Sequence, residues 1–189
     1  MTASIILNAF LVISVTGACV SAFRKAGKKS IVLRYFTALS NMFCAAASFL
    51  MMGFSLSGWV PDAVRILKYS GTCAVTVTFL TVMLFLGPTT KNYKGLLSGY
   101  DFFLHLVCPL LAIISWTAFE NITPGFYVVI FGTLPTVLYA GLYLYKVLLA
   151  PEGRRWDDFY GFNRGGKWPV SVAAMIMGAF AISVLLYVI

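Results

Sequence analysis

The chain carries a single histidine, His105, and it stands in an apolar setting, Phe103-Leu-His105-Leu-Val-Cys108-Pro109. A second polar set opens at Arg34-Tyr-Phe-Thr37-Ala-Leu-Ser40-Asn41 and continues into the apolar run behind it. Thr37, Ser40, Asn41, Cys44 and Ser48 recur at three- and four-residue steps, so a helix puts all five on one face. Hydroxyls and an amide are unfavourable against lipid, and this face must therefore look into protein. A threonine hydroxyl attacks a carbonyl only when a base takes its proton, and neutral imidazole is suited to that near neutral pH. Where the two faces meet, Thr37 would be a nucleophile and His105 its base.

The neighbours suggest supporting roles. Asp101 lies one helical turn before His105 on the same face, where a carboxylate can orient an imidazole and stabilise its protonated form. Asn41, one turn beyond Thr37, can donate to a developing oxyanion or, equally, bond to a neighbouring helix. Ser40 is a rival nucleophile, although a hydroxyl inside a helix commonly bonds to its own backbone. Arg34, at the mouth, can hold a carboxylate or simply mark the membrane edge. Cys44 and Cys108 continue the two faces inward. The four cysteines, Cys19, Cys44, Cys73 and Cys108, fall in four different apolar runs without a C-x-x-C pair. That spacing argues for packing residues rather than a disulfide framework or a zinc site. No metal or organic cofactor is implied.

These residues have to be positioned by helices in a membrane. Of 189 residues, 60% are hydrophobic and 11% charged, against about 45–50% and 25% in a soluble domain. The expected fold is all-α, a polytopic six-transmembrane-helix bundle forming one domain over 1–189. The spans are read at about 4–23, 34–57, 66–86, 99–116, 125–149 and 168–188. Pro135 is expected to kink the fifth. His105 stands about 10 Å into the fourth at 1.5 Å per residue, a depth close to that of Thr37 in the second. The first segment lacks a basic leader and is expected to remain in the mature protein.

Of 14 basic residues, all but Arg65 and Lys68 fall in or beside the first, third and fifth connections. The basic-loop bias places those connections in the cytoplasm and both termini outside. The net charge of +8 follows from it and implies attraction to anionic headgroups rather than to nucleic acid. Trp156, Phe159, Tyr160, Phe162 and Trp168 in and beside the fifth connection suit an anchor at headgroup level more than a lid. Asn121-Ile-Thr123 matches a glycosylation pattern but sits at the membrane and precedes Pro124, and it is discounted.

Four stretches carry a family resemblance: Arg34-Tyr-Phe-Thr37-Ala-Leu-Ser40-Asn41, Phe-Leu-His105-Leu-Val-Cys-Pro109, Thr78-Phe-Leu-Thr81-Val-Met-Leu-Phe-Leu-Gly87-Pro88 and Asp157-Asp-Phe-Tyr160-Gly-Phe162. Together they resemble the androgen-induced gene 1 / androgen-dependent TFPI-regulating protein family, and its microbial branch most. The resemblance implies a multi-span lipid hydrolase that cleaves esters of fatty acids with hydroxy fatty acids. It carries the threonine nucleophile to Thr37 and the histidine to His105.

The expected substrate is therefore a lipid ester entering from the inner leaflet. Three readings compete with it. A membrane acyltransferase would use Cys44 or Cys108 with the histidine. A small transporter or proton-coupled carrier would line a path with Asp101 and His105; the absence of a visible repeat and of ionisable residues in the outer halves of the spans weighs against it. A scaffold would use the same polar groups only as interhelical hydrogen bonds.

Overall fold

The computed structural model describes residues 2–27, 29–120 and 125–189. Six helices in it are long and apolar enough to cross a membrane: α1 (Thr2–Lys25), α2 (Phe36–Leu56), α3 (Asp62–Thr90), α4 (Gly99–Glu120), α5 (Val128–Leu149) and α6 (Trp168–Val188). Among the described residues there is no strand. The protein is an all-α bundle of six membrane-spanning helices. Its outer surface is apolar where lipid would lie, with Ile13 70% and Met177 71% exposed.

Helix α3 is the hub. It packs against α2, α4, α5 and α6, and 61% of its most apolar stretch is buried, against 17% for α6. Two glycines let it do so. A Cβ on Gly71 would stand 2.8 Å from the Cα of Cys44, so α2 and α3 cross with backbones almost touching. On α5, a Cβ on Gly132 would run into Ser183, Tyr69 and Cys73, from α6 and α3. All four cysteines are free and buried. Cys19, Cys44 and Cys108 share an apolar cluster with Leu11, Val15, Val75 and Leu104, while Cys73 packs with Tyr69, Trp116, Val128 and Leu186.

Two prolines extend or reshape helices that the sequence reads differently. Proline lacks the N–H that would pair with the carbonyl four residues back. Ahead of Pro88, the turn Val82–Leu86 widens to π geometry, with Gly87 N–H donating to the Val82 carbonyl. Helix α3 thereby runs on to Thr90 instead of ending at Gly87-Pro88. Ahead of Pro109, the turn Phe103–Val107 does the same, with Cys108 N–H donating to the Phe103 carbonyl. His105 is in that turn. A further π turn, Trp116–Glu120, carries α4 past the expected end at 116.

That extension brings an acid into the bundle. Lys68 Nζ stands 3.7 Å from Glu120 Oε2, and neither side chain is exposed. Lys68 also donates to Asn8 Oδ1 (2.7 Å) and Ser48 Oγ (2.8 Å). Glu120 Oε1 accepts from Ser4 Oγ and Ser115 Oγ, both at 2.6 Å, and from Asn8 Nδ2. This polar knot ties α1, α2, α3 and α4 near the end of the bundle opposite the basic loops. The expectation that this half holds no ionisable residue is overturned: the two charges are hidden because they neutralise each other. The glycosylation pattern at 121–123 lies outside the described residues.

At the basic end, the segment between α5 and α6 folds back over the helices. Tyr143 on α5 donates to Asp158 Oδ1 (2.9 Å) and accepts from Tyr160 N–H (3.0 Å). Asp158 then caps the loop by accepting from Phe162 N–H and Asn163 N–H, both at 2.9 Å. Phe159, Tyr160 and Phe162 crowd Tyr143 at ring separations of 5.0 to 5.3 Å. Phe159, Tyr160 and Phe162 turn inward onto the bundle, because Tyr143 and Asp158 give the loop internal partners.

Candidate active site

Helix α2 starts at Phe36, after Tyr35 in extended conformation. Its first N–H groups have no partner within the helix, and that of Phe36 is met by the hydroxyl of Tyr160 at 3.1 Å. Thr37 follows in the first turn, and its Oγ1 lies 3.4 Å from His105 Nε2. The imidazole is buried, with 7% of the residue exposed. Its Nδ1 stands 2.7 Å from the carbonyl oxygen of Leu96. A carbonyl can only accept, so the proton of the neutral ring is on Nδ1, and Nε2 offers its lone pair to Thr37. The hydroxyl donates to the ring: this is the arrangement in which a base removes a nucleophile's proton. The Thr37–His105 contact is long for a hydrogen bond and within the range such contacts take before a substrate draws them together.

Leu96 is the residue that sequence reasoning missed. It closes the short helix Tyr93–Leu96, whose first turn is capped by Asn92 Oδ1 accepting from Gly95 N–H at 3.0 Å. The last carbonyls of a helix lack internal partners, and here one of them orients the imidazole. Every residue has a carbonyl, so only the cap at Asn92 hints at the role.

The remaining candidates fall into place around the pair. Asp101 is half-buried on the turn before His105, but among the described residues its carboxylate accepts no hydrogen bond from the ring; Leu96 holds that position. Asn41 is wholly buried, and its Nδ2 donates to the carbonyls of Thr37 (2.8 Å) and Leu104 (3.0 Å). With both amide hydrogens used, Asn41 ties α2 to α4 and has none for an oxyanion. Ser40 pairs with Thr78 on α3 at 2.9 Å and lies 3.2 Å from the Thr37 carbonyl, and so acts between helices. Cys44 and Cys108 are each 1% exposed, in the apolar cluster. Arg34 sits at the mouth, its guanidinium 5.8 Å from the ring of Trp156, its carbonyl accepting from Tyr139 at 2.6 Å.

Beside Thr37 is a cavity of about 40 Å³, walled by α2, α3 and α5, by Met175 of α6 and by Tyr160 from the folded-back loop. A larger groove of about 250 Å³ lies between α2 and α5, lined by Phe36, Leu39, Ser40, Phe43, Pro135, Leu138, Tyr139 and Leu142. The two spaces share Phe36 and Tyr139, and the groove opens outward past Leu138, which is 65% exposed. Burial pushes the Tyr160 phenol up to about 12, against the opposing pull of the Phe36 N–H on its oxygen. Tyr160 therefore stays neutral at any physiological pH. Among the described residues, no three His, Cys, Asp or Glu side chains gather as a metal site would require.

Comparison with known protein families, with curated proteins and with solved structures finds no match for this chain.

Proposed function

We propose that the protein is an integral-membrane lipid hydrolase that cleaves fatty-acyl esters, with Thr37 as nucleophile and His105 as general base. The observation that carries this reading is the contact of 3.4 Å between Thr37 Oγ1 and an Nε2 whose tautomer is set by the Leu96 carbonyl. The apolar groove between α2 and α5 suits an acyl chain arriving sideways from the bilayer, and the small cavity suits the ester carbonyl. The resemblance of the Thr37 and His105 segments to the androgen-induced gene 1 / androgen-dependent TFPI-regulating protein family supports the same chemistry, and esters of hydroxy fatty acids as one substrate class. The basic loops support a site facing the cytosolic leaflet.

In this mechanism His105 Nε2 takes the Thr37 proton as Oγ1 attacks the ester carbonyl. The tetrahedral intermediate collapses to an acyl-threonine, and the leaving alcohol receives the proton from His105. Water, deprotonated by the same nitrogen, then releases the acid and restores Thr37. Asn41 and Leu96 position these groups. A fluorophosphonate probe on the purified protein tests the reading. The wild type should be labelled, and Thr37→Ala and His105→Ala should not; equal labelling of all three would remove the assignment.

One observation favours a second reading. The buried Lys68–Glu120 pair supplies ionisable groups in the opposite half of the bundle, as an ion-coupled carrier would need. Solute uptake by reconstituted vesicles, abolished by Glu120→Gln and indifferent to Thr37→Ala, would support the carrier over the hydrolase.

A further inference from the structure

Among the described residues, five threonines are buried in the helices: Thr72, Thr76, Thr78, Thr133 and Thr136. The first four each donate to the carbonyl four residues earlier, at 2.7 to 3.3 Å. This is the ordinary resting state of a helical threonine. Thr136 does not. It is 1% exposed, and its hydroxyl has no hydrogen-bond partner among the described residues. It lies next to Pro135 on α5 and lines the same cavity as Thr37. A buried hydroxyl without a partner is a standing cost, and helical back-bonding would remove it; the exception calls for a partner that arrives from outside.

We propose that the Thr136 hydroxyl is the donor that receives the ester carbonyl oxygen as Thr37 attacks it. The inference rests on the hydrolase reading above. Thr37 and Thr136 both line the cavity of about 40 Å³, which holds about three waters' worth of space. When Thr37 Oγ1 bonds to the carbonyl carbon, the C=O π electrons pass to oxygen and the Thr37 proton passes to His105. Thr136 donates its O–H to that oxygen and keeps its own proton. Collapse returns the electrons to the carbonyl, breaks the ester C–O bond and sends the His105 proton to the alcohol. A donor with no competing partner is preorganised for this step, and such donors act mainly on the transition state.

The test compares wild type, Thr136→Val and Thr136→Ser in detergent micelles, by fluorophosphonate labelling, hydrolysis of p-nitrophenyl octanoate and melting temperature. Valine keeps the shape and removes the hydroxyl. The expected result is a kcat lowered by about 10²–10³ in Thr136→Val, with KM within about threefold. Its melting temperature should be unchanged or higher, because no hydrogen bond is lost. Thr136→Ser should retain activity within about tenfold of wild type. A labelled wild type with Thr136→Val turning over at the same rate would overturn the inference and leave the hydrolase standing. So would loss of both activity and melting temperature that serine does not rescue, since that pattern belongs to packing. A wild type that neither labels nor turns over would take both readings down together.

Discussion

The Leu96 carbonyl holds His105 Nδ1 at 2.7 Å, in the position a carboxylate takes in a catalytic triad. On the proposed hydrolase reading, Asp101→Asn should therefore lower ester hydrolysis by less than about tenfold, because the tautomer does not depend on it. Asn92→Ala, which removes the cap of the Tyr93–Leu96 turn, should lower kcat more than Asp101→Asn does. Steady-state rates of the two variants decide which group orients the ring.

His105→Gln keeps a polar side chain at the α2–α4 contact and removes the proposed base. Hydrolysis should fall by about 10²–10⁴, the usual contribution of a positioned general base. If the contact is only an interhelical hydrogen bond, the same variant should alter melting alone.

The Lys68–Glu120 pair gives a prediction that is independent of any activity. Removing one partner leaves an unpaired buried charge, so Lys68→Met or Glu120→Gln alone should cost about 3–5 kcal/mol. Lys68→Met/Glu120→Gln should cost less than the sum by more than about 1 kcal/mol. Unfolding of the four proteins in detergent measures the coupling.

Gly71→Ala forces a Cβ to 2.8 Å from the Cα of Cys44 and should destabilise the protein by about 1–3 kcal/mol. Gly178→Ala, which meets nothing within 4 Å, is the control and should be neutral or stabilising. Equal melting temperatures for the two variants would contradict the close crossing of α2 and α3.

Tyr160 predicts an alkaline limb. Its phenol titrates at about 12 in the fold, and near 10 once unfolded. Between those values the folded protein holds a proton that the unfolded chain has lost, so stability falls as pH rises. Below about pH 10 the contribution is fully present. Melting temperatures from pH 9 to 12 should fall less steeply in Tyr160→Phe than in wild type.

The six helices were legible because each is a contiguous apolar run, and a bilayer admits few other folds for such a chain. Their ends were less so. Pro88 reads as a stop, yet a π turn carries α3 through it, and Glu120 reads as loop until another π turn places it inside. Thr37 and His105 stood out by residue type and by the helical spacing around Thr37. Leu96 did not, since its contribution is a backbone atom. Thr136 did not either, since its distinction is a bond it fails to make. The Lys68–Glu120 pairing joins separate helices and leaves no spacing in the chain. The loop aromatics were ambiguous because the same residue types serve a lipid interface and a folded cap.

The polar knot also bears on how the bundle is assembled in the cell. A lysine costs about 2.5–3.5 kcal/mol at the centre of a helix that partitions into lipid, and less near a helix end, where Lys68 stands, seven residues into α3. Helix α3 presents Lys68 before Glu120 has been synthesised, and its first counterparts, Asn8 and Ser48, are already on α1 and α2. In chain order, therefore, Lys68 can rest on Asn8 and Ser48 first, and the knot is completed only when α4 brings Glu120.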